Sequence, residues 1–105
     1  MKSLSLATNQ NDRLEAVFVG EDGNVKHIWQ CNSGPGNKYT WNAVGDLIGP
    51  SGTPLTNAVA VSALSNEKGE IQAIAYDTNG DYYRIDQSAN AGAWSDWVKI
   101  EFGCP

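Results

Sequence analysis

Apolar residues recur along this chain in short segments that keep no helical period, and turn residues follow each segment. The clearest turns are Asp22-Gly23 and Asn79-Gly80. Glycine accepts a positive φ without steric cost, so these dipeptides favour tight β-hairpins. The pattern therefore predicts an all-β chain.

Eight strands are predicted, four in each half of the chain. The predicted strands of the first half are Ser3–Ala7, Arg13–Val19, Val25–Gln30 and Trp41–Leu47. Those of the second half are Ala58–Leu64, Ile71–Tyr76, Tyr82–Gln87 and Trp94–Ile100. Strands and turns have the same order in both halves, which indicates one repeated unit.

The two halves are also similar in sequence. Leu14–Asn24 is matched by Ile71–Asp81 at an offset of about 57 residues, and Trp41–Val44 is matched by Trp94–Trp97 at an offset of about 53. A repeat of this length is one supersecondary unit that cannot bury its own faces and must stack on a neighbour. We therefore predict a single domain, residues 1–105, with two tandem repeats at about 2–50 and 57–103.

The apolar pattern is graded within each repeat. The first two strands are nearly continuous in apolar residues, as in Ala16–Val19 and Ala73–Tyr76, which predicts burial on both faces. The third and fourth strands are more polar and alternate. A two-sheet sandwich would alternate on most strands. The gradient instead favours two four-stranded β-propeller blades, whose inner strands pack against a neighbour on each side.

Propellers usually close with about four to eight blades, and this chain supplies two. We therefore expect a homo-oligomer that closes into a multi-chain propeller, a trimer with six blades or a tetramer with eight. The alternative is a monomer in which the two repeats pack as a small eight-stranded sandwich.

Charge and hydropathy exclude several classes of partner. The net charge is −5, and the seven basic residues are scattered, which disfavours nucleic acid and anionic membrane surfaces. No apolar stretch approaches the roughly 20 residues of a membrane-spanning helix. Residues 1–7 do not form a typical signal peptide, so localisation stays open between the cytoplasm and secretion by a non-classical route.

Cysteine and histidine give little sign of a metal site. Cys31 and Cys104 are compatible with a disulfide, within or between chains, but we favour two free thiols. His27 is the single histidine, and no second ligand stands at a metal-binding spacing. The segment Asp77–Asp81 is interpreted as a hairpin turn rather than a calcium loop, because its glycine is misplaced. We expect no metal and no cofactor.

Several segments together resemble a known repeat. They are Arg13–Val19, Asp22–Gln30 (with the sequence His-Ile-Trp-Gln at its end) and Trp94–Val98. The chain resembles the blade of PLL-type bacterial propeller lectins and, more distantly, of tectonin-like lectins. The resemblance implies binding of fucose-like or related hexoses in clefts between blades.

The chain departs from that pattern in ways that make its two repeats unequal. Arg84 and Asp86 in the second repeat correspond to His27 and Trp29 in the first. The first repeat also has Val44 where the second has Trp97. The ring should therefore contain two alternating kinds of cleft.

Aromatic residues near the strand ends support sugar binding, because a pyranose stacks its C–H face on an aromatic ring. Each tryptophan has packing between blades as its alternative role. The candidate ligand-binding residues are Trp94, Trp97, Trp41, Trp29, His27, Tyr83, Arg84 and Asp96. Trp94 or Trp97 is expected to supply the stacking face. The neighbouring polar residues, which would orient the sugar through its hydroxyls, are Gln30, Asn32, Asn42, Gln87 and Asp96.

Two other functions are alternatives to that of a glycan-binding lectin. A glycosidase would need a pair of carboxylates with separate roles, and the aspartates here lie mostly in turns or at exposed strand positions. A sialidase would need an arginine cluster, and Arg13 and Arg84 are the only arginines. An enzyme is therefore not expected. The remaining alternative is a structural or protein-binding propeller scaffold.

Overall fold

The computed structural model describes residues 3–9, 13–31, 40–88 and 93–103, and these residues form an all-β structure. The strands are β1 (Ser3–Thr8), β2 (Leu14–Val19), β3 (Val25–Trp29), β4 (Gly45–Asp46), β5 (Ala58–Ser65), β6 (Ile71–Asp77), β7 (Tyr82–Asp86) and β8 (Val98–Lys99). The predicted fold class is confirmed to this level. The described part of the chain contains no helix that is long and apolar enough to cross a membrane.

The strands form two four-stranded antiparallel sheets, each in simple chain order. Sheet 1 has the order β1-β2-β3-β4 and sheet 2 the order β5-β6-β7-β8. Two tight turns connect the central strands, and their glycines, Gly23 and Gly80, have φ values of 85° and 83°. These are the two hairpins that the sequence predicts.

The fourth strand of each sheet is much shorter than predicted. Trp41 and Trp94 make only isolated bridges, to Gln30 and Gln87, and the ladder resumes one residue out of register at β4 and β8. The shift in register is that of a β-bulge.

At both breaks in the ladder, a polar side chain accepts the backbone hydrogen bond that a carbonyl of the neighbouring strand would otherwise accept. The Asn42 Oδ1 accepts a hydrogen bond from the backbone N–H of Trp29. In sheet 2 the Ser95 Oγ accepts from the backbone N–H of Asp86 at 3.0 Å. Asn42 and Ser95 occupy the same position of the repeat, so the short strand is a feature of the repeated unit.

The strands β1 and β5 lie side by side. The Ser5 Oγ accepts from the N–H of Ala63 at 2.9 Å and donates to its carbonyl at 3.2 Å. The Ser3 Oγ makes the same pair of contacts with Val61, at 3.1 Å each. The constant spacing of these partners shows that the two strands run in the same direction.

The buried core lies between the two sheets. Sheet 1 contributes Ala7, Val17, Val19, Val25 and Leu47; sheet 2 and the linker contribute Leu55, Ala58, Val61, Ile71, Ala73, Ala75, Ile85 and Trp94. Burial of these apolar side chains stabilises the pairing of the sheets, since a single sheet has no second layer to cover it.

The first two strands of each sheet are predicted to be buried on both faces, and the structure shows this for only some of them. In β2 every residue from Glu15 to Val19 is buried, as the apolar run predicts. In β1 and β6, however, Leu4, Leu6 and Ile74 are at least half exposed. They point away from the other sheet, and a single chain places no neighbour on that side.

Candidate functional site

A cleft lies between sheet 2 and the linker that joins the two sheets. Gly49 lies so close to the backbone of Ser95 and Asp96 that a Cβ at this position would overlap it. The next turn of the linker is held by the N–H of Ser51, which donates to Asp96 Oδ1 at 2.9 Å. The linker is thereby fixed against the segment that precedes β8.

The end of the linker is held by both hairpin turns. The N–H of Ala58 donates to the carbonyl of Gly23, and the N–H of Thr78 donates to the carbonyl of Asn57, each at 2.9 Å. Asn57 has a φ of 55°, in the left-handed region that asparagine tolerates better than most residues. This bend in the backbone forms one wall of the cleft.

The cleft has a volume of about 330 Å³. Its lining is formed by Ser51, Thr53, Pro54, Leu55, Thr56, Asn57, Asp77, Asn79, Tyr83, Asp96 and Trp97. The volume is at the lower end of the range of small-molecule sites, roughly 300 to 1,000 Å³. Two aromatic rings, two carboxylates and two primary amides therefore meet in a space suited to a small polar molecule.

Trp97 is fixed in place within this cleft. Its Nε1 donates to the carbonyl of Leu47 at 2.9 Å, and its half-buried ring packs against the core. The single polar atom of the indole is thus satisfied by sheet 1. What the ring offers to the cleft is apolar surface in a fixed orientation.

The two carboxylates of the cleft have different local roles. Asp96 Oδ1 accepts from Ser51 as described, and the residue is exposed. Asp77 is buried, and its Oδ1 accepts from the N–H groups of Asn79 and Asp81 at 3.0 Å each. These are the contacts of an aspartate that stabilises a turn, as the hairpin interpretation predicts. Asp96 is the carboxylate with more solvent access.

A second group of predicted residues forms an aromatic cluster elsewhere between the sheets. The ring of His27 lies 5.0 Å from Trp29 and 5.9 Å from Trp94, with an edge-on geometry to Trp94. The Nδ1–H of His27 donates to Glu15 Oε2 at 3.0 Å, and Glu15 is buried. These contacts hold the ring of His27 within the protein, against two aromatic rings and a buried carboxylate. The cluster joins β3 to the residues before β8.

The remaining two predicted residues lie outside both groups. Arg84 is half exposed and forms a two-pronged ion pair with Asp86, at 2.8 and 3.2 Å. This hydrogen bond and the charge of Asp86 raise the pKa of Arg84, so its side chain stays cationic. Trp41 is half-buried beside Gln30, at the edge of sheet 1.

An acidic pair around a lysine stands on sheet 1. The Lys26 Nζ lies 2.7 Å from Asp46 and 3.1 Å from Asp22. Hydrogen bonds to these two carboxylates raise the pKa of Lys26. The pKa of Asp22 is lowered, first by the backbone N–H of Asn24 and then by Lys26.

The structure therefore separates the eight predicted residues. Tyr83, Asp96 and Trp97 meet in the cleft; His27, Trp29 and Trp94 meet in the aromatic cluster. Of the predicted polar neighbours, Gln30 and Gln87 accept from the backbone N–H groups of Leu14 and Ile71. Asn32 lies outside the described residues.

Sequence reasoning missed Ser51, Asn57 and Asn79, which also line the cleft. The sequence predicts for Asn79 only a place in a turn, and it predicts no role for the linker. For Ser51 and Asn57 the available signal is their position, because a linker between stacked repeats must cross their junction. Cys104 lies outside the described residues, and the pairing of half-buried Cys31 stays a prediction.

Among the described residues, no group of three His, Cys, Asp or Glu side chains is arranged to hold a metal ion. No protein-family model and no curated protein matches this chain.

Proposed function

We propose that this chain is the subunit of a carbohydrate-binding lectin and that the cleft between sheet 2 and the linker takes one monosaccharide of the fucose or a related hexose type. The observation that carries this proposal is the fixed indole of Trp97 beside Asp96 in a polar cleft of about 330 Å³. A pyranose has an apolar C–H face and a rim of hydroxyls. It needs both kinds of surface in one place.

The chemistry of the lining supports a sugar over a purely apolar ligand. Trp97 supplies the stacking surface, and Tyr83 adds a second ring and a phenolic hydroxyl. Asn57 and Asn79 have amides that donate and accept, while Asp96 accepts only. Pairs of neighbouring hydroxyls suit such planar groups. The fixed linker lowers the entropy that binding would otherwise cost.

The repeat also indicates which kind of junction carries the sugar. The positions of Tyr83, Asp96 and Trp97 are occupied in the first repeat by Lys26, Ala43 and Val44. Those three residues offer neither an aromatic ring nor a free carboxylate, and Lys26 is engaged by two aspartates. A junction lined by this side of sheet 1 would lack the stacking surface. We therefore assign one sugar to each chain, in the cleft within it.

The two sheets are proposed to be blades of a propeller that closes from several copies. Support comes from how the space between the sheets is filled. Serine and alanine separate β1 from β5, where hydroxyl groups touch the opposite backbone. Bulky His27, Trp94 and Trp97 fill the other end. Sheets that diverge in this way suit a ring of three or four chains better than a flat sandwich.

Several equal sites on one ring would bind a glycan-coated surface far more tightly than one site does, without any new contact. A catalytic role is not part of the proposal. Of the two carboxylates in the cleft, Asp77 is occupied by the turn that it stabilises, so a pair of free acids with separate roles is not formed.

A glycan array with the intact protein tests the proposal. We expect binding to a small set of hexose-terminated glycans. Trp97→Ala should weaken it about tenfold to a hundredfold, the equivalent of about 1.4 to 2.8 kcal/mol. Lys68→Ala, in the exposed turn between β5 and β6 and outside the cleft lining, is the control and should bind as wild type.

Circular dichroism checks that each variant is folded. Since Trp97 also packs on the core, Asn79→Ala serves as a second variant that removes a hydrogen-bonding side chain from an exposed turn. Binding to no glycan would favour the scaffold function. Turnover of aryl glycosides would show that the protein is a glycosidase and would contradict the lectin proposal.

A further inference from the structure

Each sheet has an outer face that carries exposed apolar side chains. On sheet 1 these are Leu4, Leu6 and Val44, and on sheet 2 they are Leu64, Ile74, Tyr82 and Val98. Leu6 is 57% exposed and Leu64 is 61% exposed. Two rows of large apolar residues on opposite sides of one small chain are more than the scattered exposure of a typical monomer.

The repeat relates the outer face of sheet 2 to a surface that is already buried. Leu64, Ile74 and Tyr82 correspond to Ala7, Val17 and Val25 of sheet 1. All three of those residues belong to the core between the sheets. The outer face of sheet 2 is therefore a second copy of the surface with which sheet 1 contacts sheet 2.

The outer face of sheet 1 has the converse relation. Leu4, Leu6 and Val44 correspond to Val61, Ala63 and Trp97 of sheet 2. These residues of sheet 2 face sheet 1, through the core or packed against it. The two exposed faces are thus the two unlike halves of the junction that exists once within each chain.

We propose that the outer face of sheet 2 docks on the outer face of sheet 1 in a second copy of this chain, head to tail, and repeats the internal junction. This inference rests on the multi-chain assembly of the proposed function and specifies which surfaces form it. Contacts between unlike faces do not terminate in a dimer. They continue until a ring closes.

The internal junction identifies the first contact between copies. Ser5 bonds to the N–H and the carbonyl of Ala63. Its equivalent in sheet 2 is Ser62, which is exposed and lies on the outer face. Ser62 of one copy is therefore placed to bond the backbone of Leu6 in the next.

A second contact follows from the aromatic cluster. Within the chain, His27 meets the edge of Trp94. The corresponding residues on the outer faces are Arg84 and Trp41. Docking brings the cationic Arg84 of one copy to the ring of Trp41 in the next, where a cation–π contact is favourable. Asp86 already neutralises Arg84, so no unpaired charge is buried.

The differences between the two junctions suit their different tasks. Between copies, Leu4 and Leu6 replace Val61 and Ala63, and Leu64 replaces Ala7, so the junction is richer in apolar volume. Association of separate chains costs translational and rotational freedom that a covalent linker avoids. The larger hydrophobic area offsets this cost, and the bulk of the leucines spaces the two sheets further apart.

Light scattering after size-exclusion chromatography tests the head-to-tail geometry. Ile74→Glu damages only the outer face of sheet 2, and Leu6→Glu only that of sheet 1. We expect the wild type to be three or four times the mass of one chain and each variant to be a single folded chain. Lys68→Glu, in the exposed turn between β5 and β6, adds an acid outside both faces and should keep the full assembly.

Mixing the two variants gives the most specific result. The mixture retains one intact pair of unlike faces, so it should form a dimer of one Ile74→Glu chain and one Leu6→Glu chain, and nothing larger. If only one variant dissociates, like faces pair and the inference is wrong. If both variants keep the wild-type oligomer, the two outer faces do not form the contact between copies, but the protein still assembles from several chains as the proposed function requires. A monomeric wild type overturns the assembly as well.

Discussion

Val17 and Ile74 occupy the same position in the two repeats, yet their surroundings are opposite. Val17 is fully buried between the sheets, whereas Ile74 is 50% exposed on the outer face of sheet 2. Both stand in the second strand of their sheet and both are β-branched. The difference comes from neighbours alone, because one chain supplies a second sheet on only one side of each sheet.

Polar residues at matching positions of the two repeats also differ in their contacts with the other sheet. Glu15 is buried against His27, and the matching Gln72 is half-buried on the outer face of sheet 2. Ser5 bonds to β5, and the matching Ser62 is exposed. Each internal contact thus has an unfilled counterpart, and substitutions made in pairs can measure how different the two surfaces are.

The largest difference is expected for a buried charge. Val17→Asp places a carboxylate without a partner in the core and should lower the free energy of unfolding by about 4 kcal/mol or more. Ile74→Asp should change it by less than about 1 kcal/mol. Urea unfolding followed by circular dichroism measures both, in a Leu6→Glu background that keeps the chain single. Equal losses would mean that the two faces are equally buried.

A smaller difference is expected for the serine pair. Ser5→Ala leaves the N–H of Ala63 without its acceptor and should cost about 1 to 2 kcal/mol of unfolding free energy. Ser62→Ala should leave the single chain unchanged but raise the dissociation constant of the assembly about tenfold. Unfolding in urea and dilution monitored by analytical ultracentrifugation separate the two outcomes. A stability loss in the single chain with Ser62→Ala would contradict the assignment of its hydroxyl.

Replacing the buried carboxylate of Glu15 by an amide should change the free energy of unfolding by less than the loss of the Ser5 hydroxyl does. Glu15→Gln gives sheet 1 the residue that sheet 2 has, and the new amide oxygen still accepts from His27. We expect a loss of about 1 kcal/mol or less, while Glu15→Ala removes the acceptor and should cost more. Thermal unfolding of the two variants gives the comparison. No difference between them would show that the bond to His27 contributes nothing.

The smallest effect concerns the ion pairs of Lys26 with Asp22 and Asp46 on sheet 1. The pKa of Asp22 is lowered in the folded chain, so its contribution is present above the pKa of the unfolded state and is lost as pH falls through the lower, folded value. Lys26→Met should therefore reduce stability only slightly at neutral pH, with the difference shrinking below about pH 4 and disappearing below the lower, folded pKa of Asp22. Melting curves at several pH values test this. A difference that persists in acid would assign it to packing of the lysine stem instead.

Most of the fold was open to prediction because it rests on local rules. Alternation and the turns at Gly23 and Gly80 give the strands and their order, and both four-stranded sheets are confirmed. The bulge in the fourth strand was not predictable in this way. It depends on Asn42 and Ser95, whose side chains replace backbone partners only after the strands are paired.

The site was less open to prediction, since it depends on which repeat faces which. Trp94 and Trp97 are almost adjacent and look alike in the sequence. Their surroundings separate them: Trp94 meets His27 in the aromatic cluster, and Trp97 lines the cleft. Asn57 and Asn79 join the site only because the end of the linker packs against the turn between β6 and β7, where the N–H of Thr78 donates to the carbonyl of Asn57.

The inequality of the two junctions is the central claim, and the number of sugars bound per chain tests it most directly. Isothermal titration of the intact assembly, with the best monosaccharide from the glycan array, should give one site per chain. Lys68→Ala should keep this number, and Trp97→Ala should lower the affinity about tenfold to a hundredfold. Two sites per chain, or unchanged binding by a folded Trp97→Ala variant, would contradict the account.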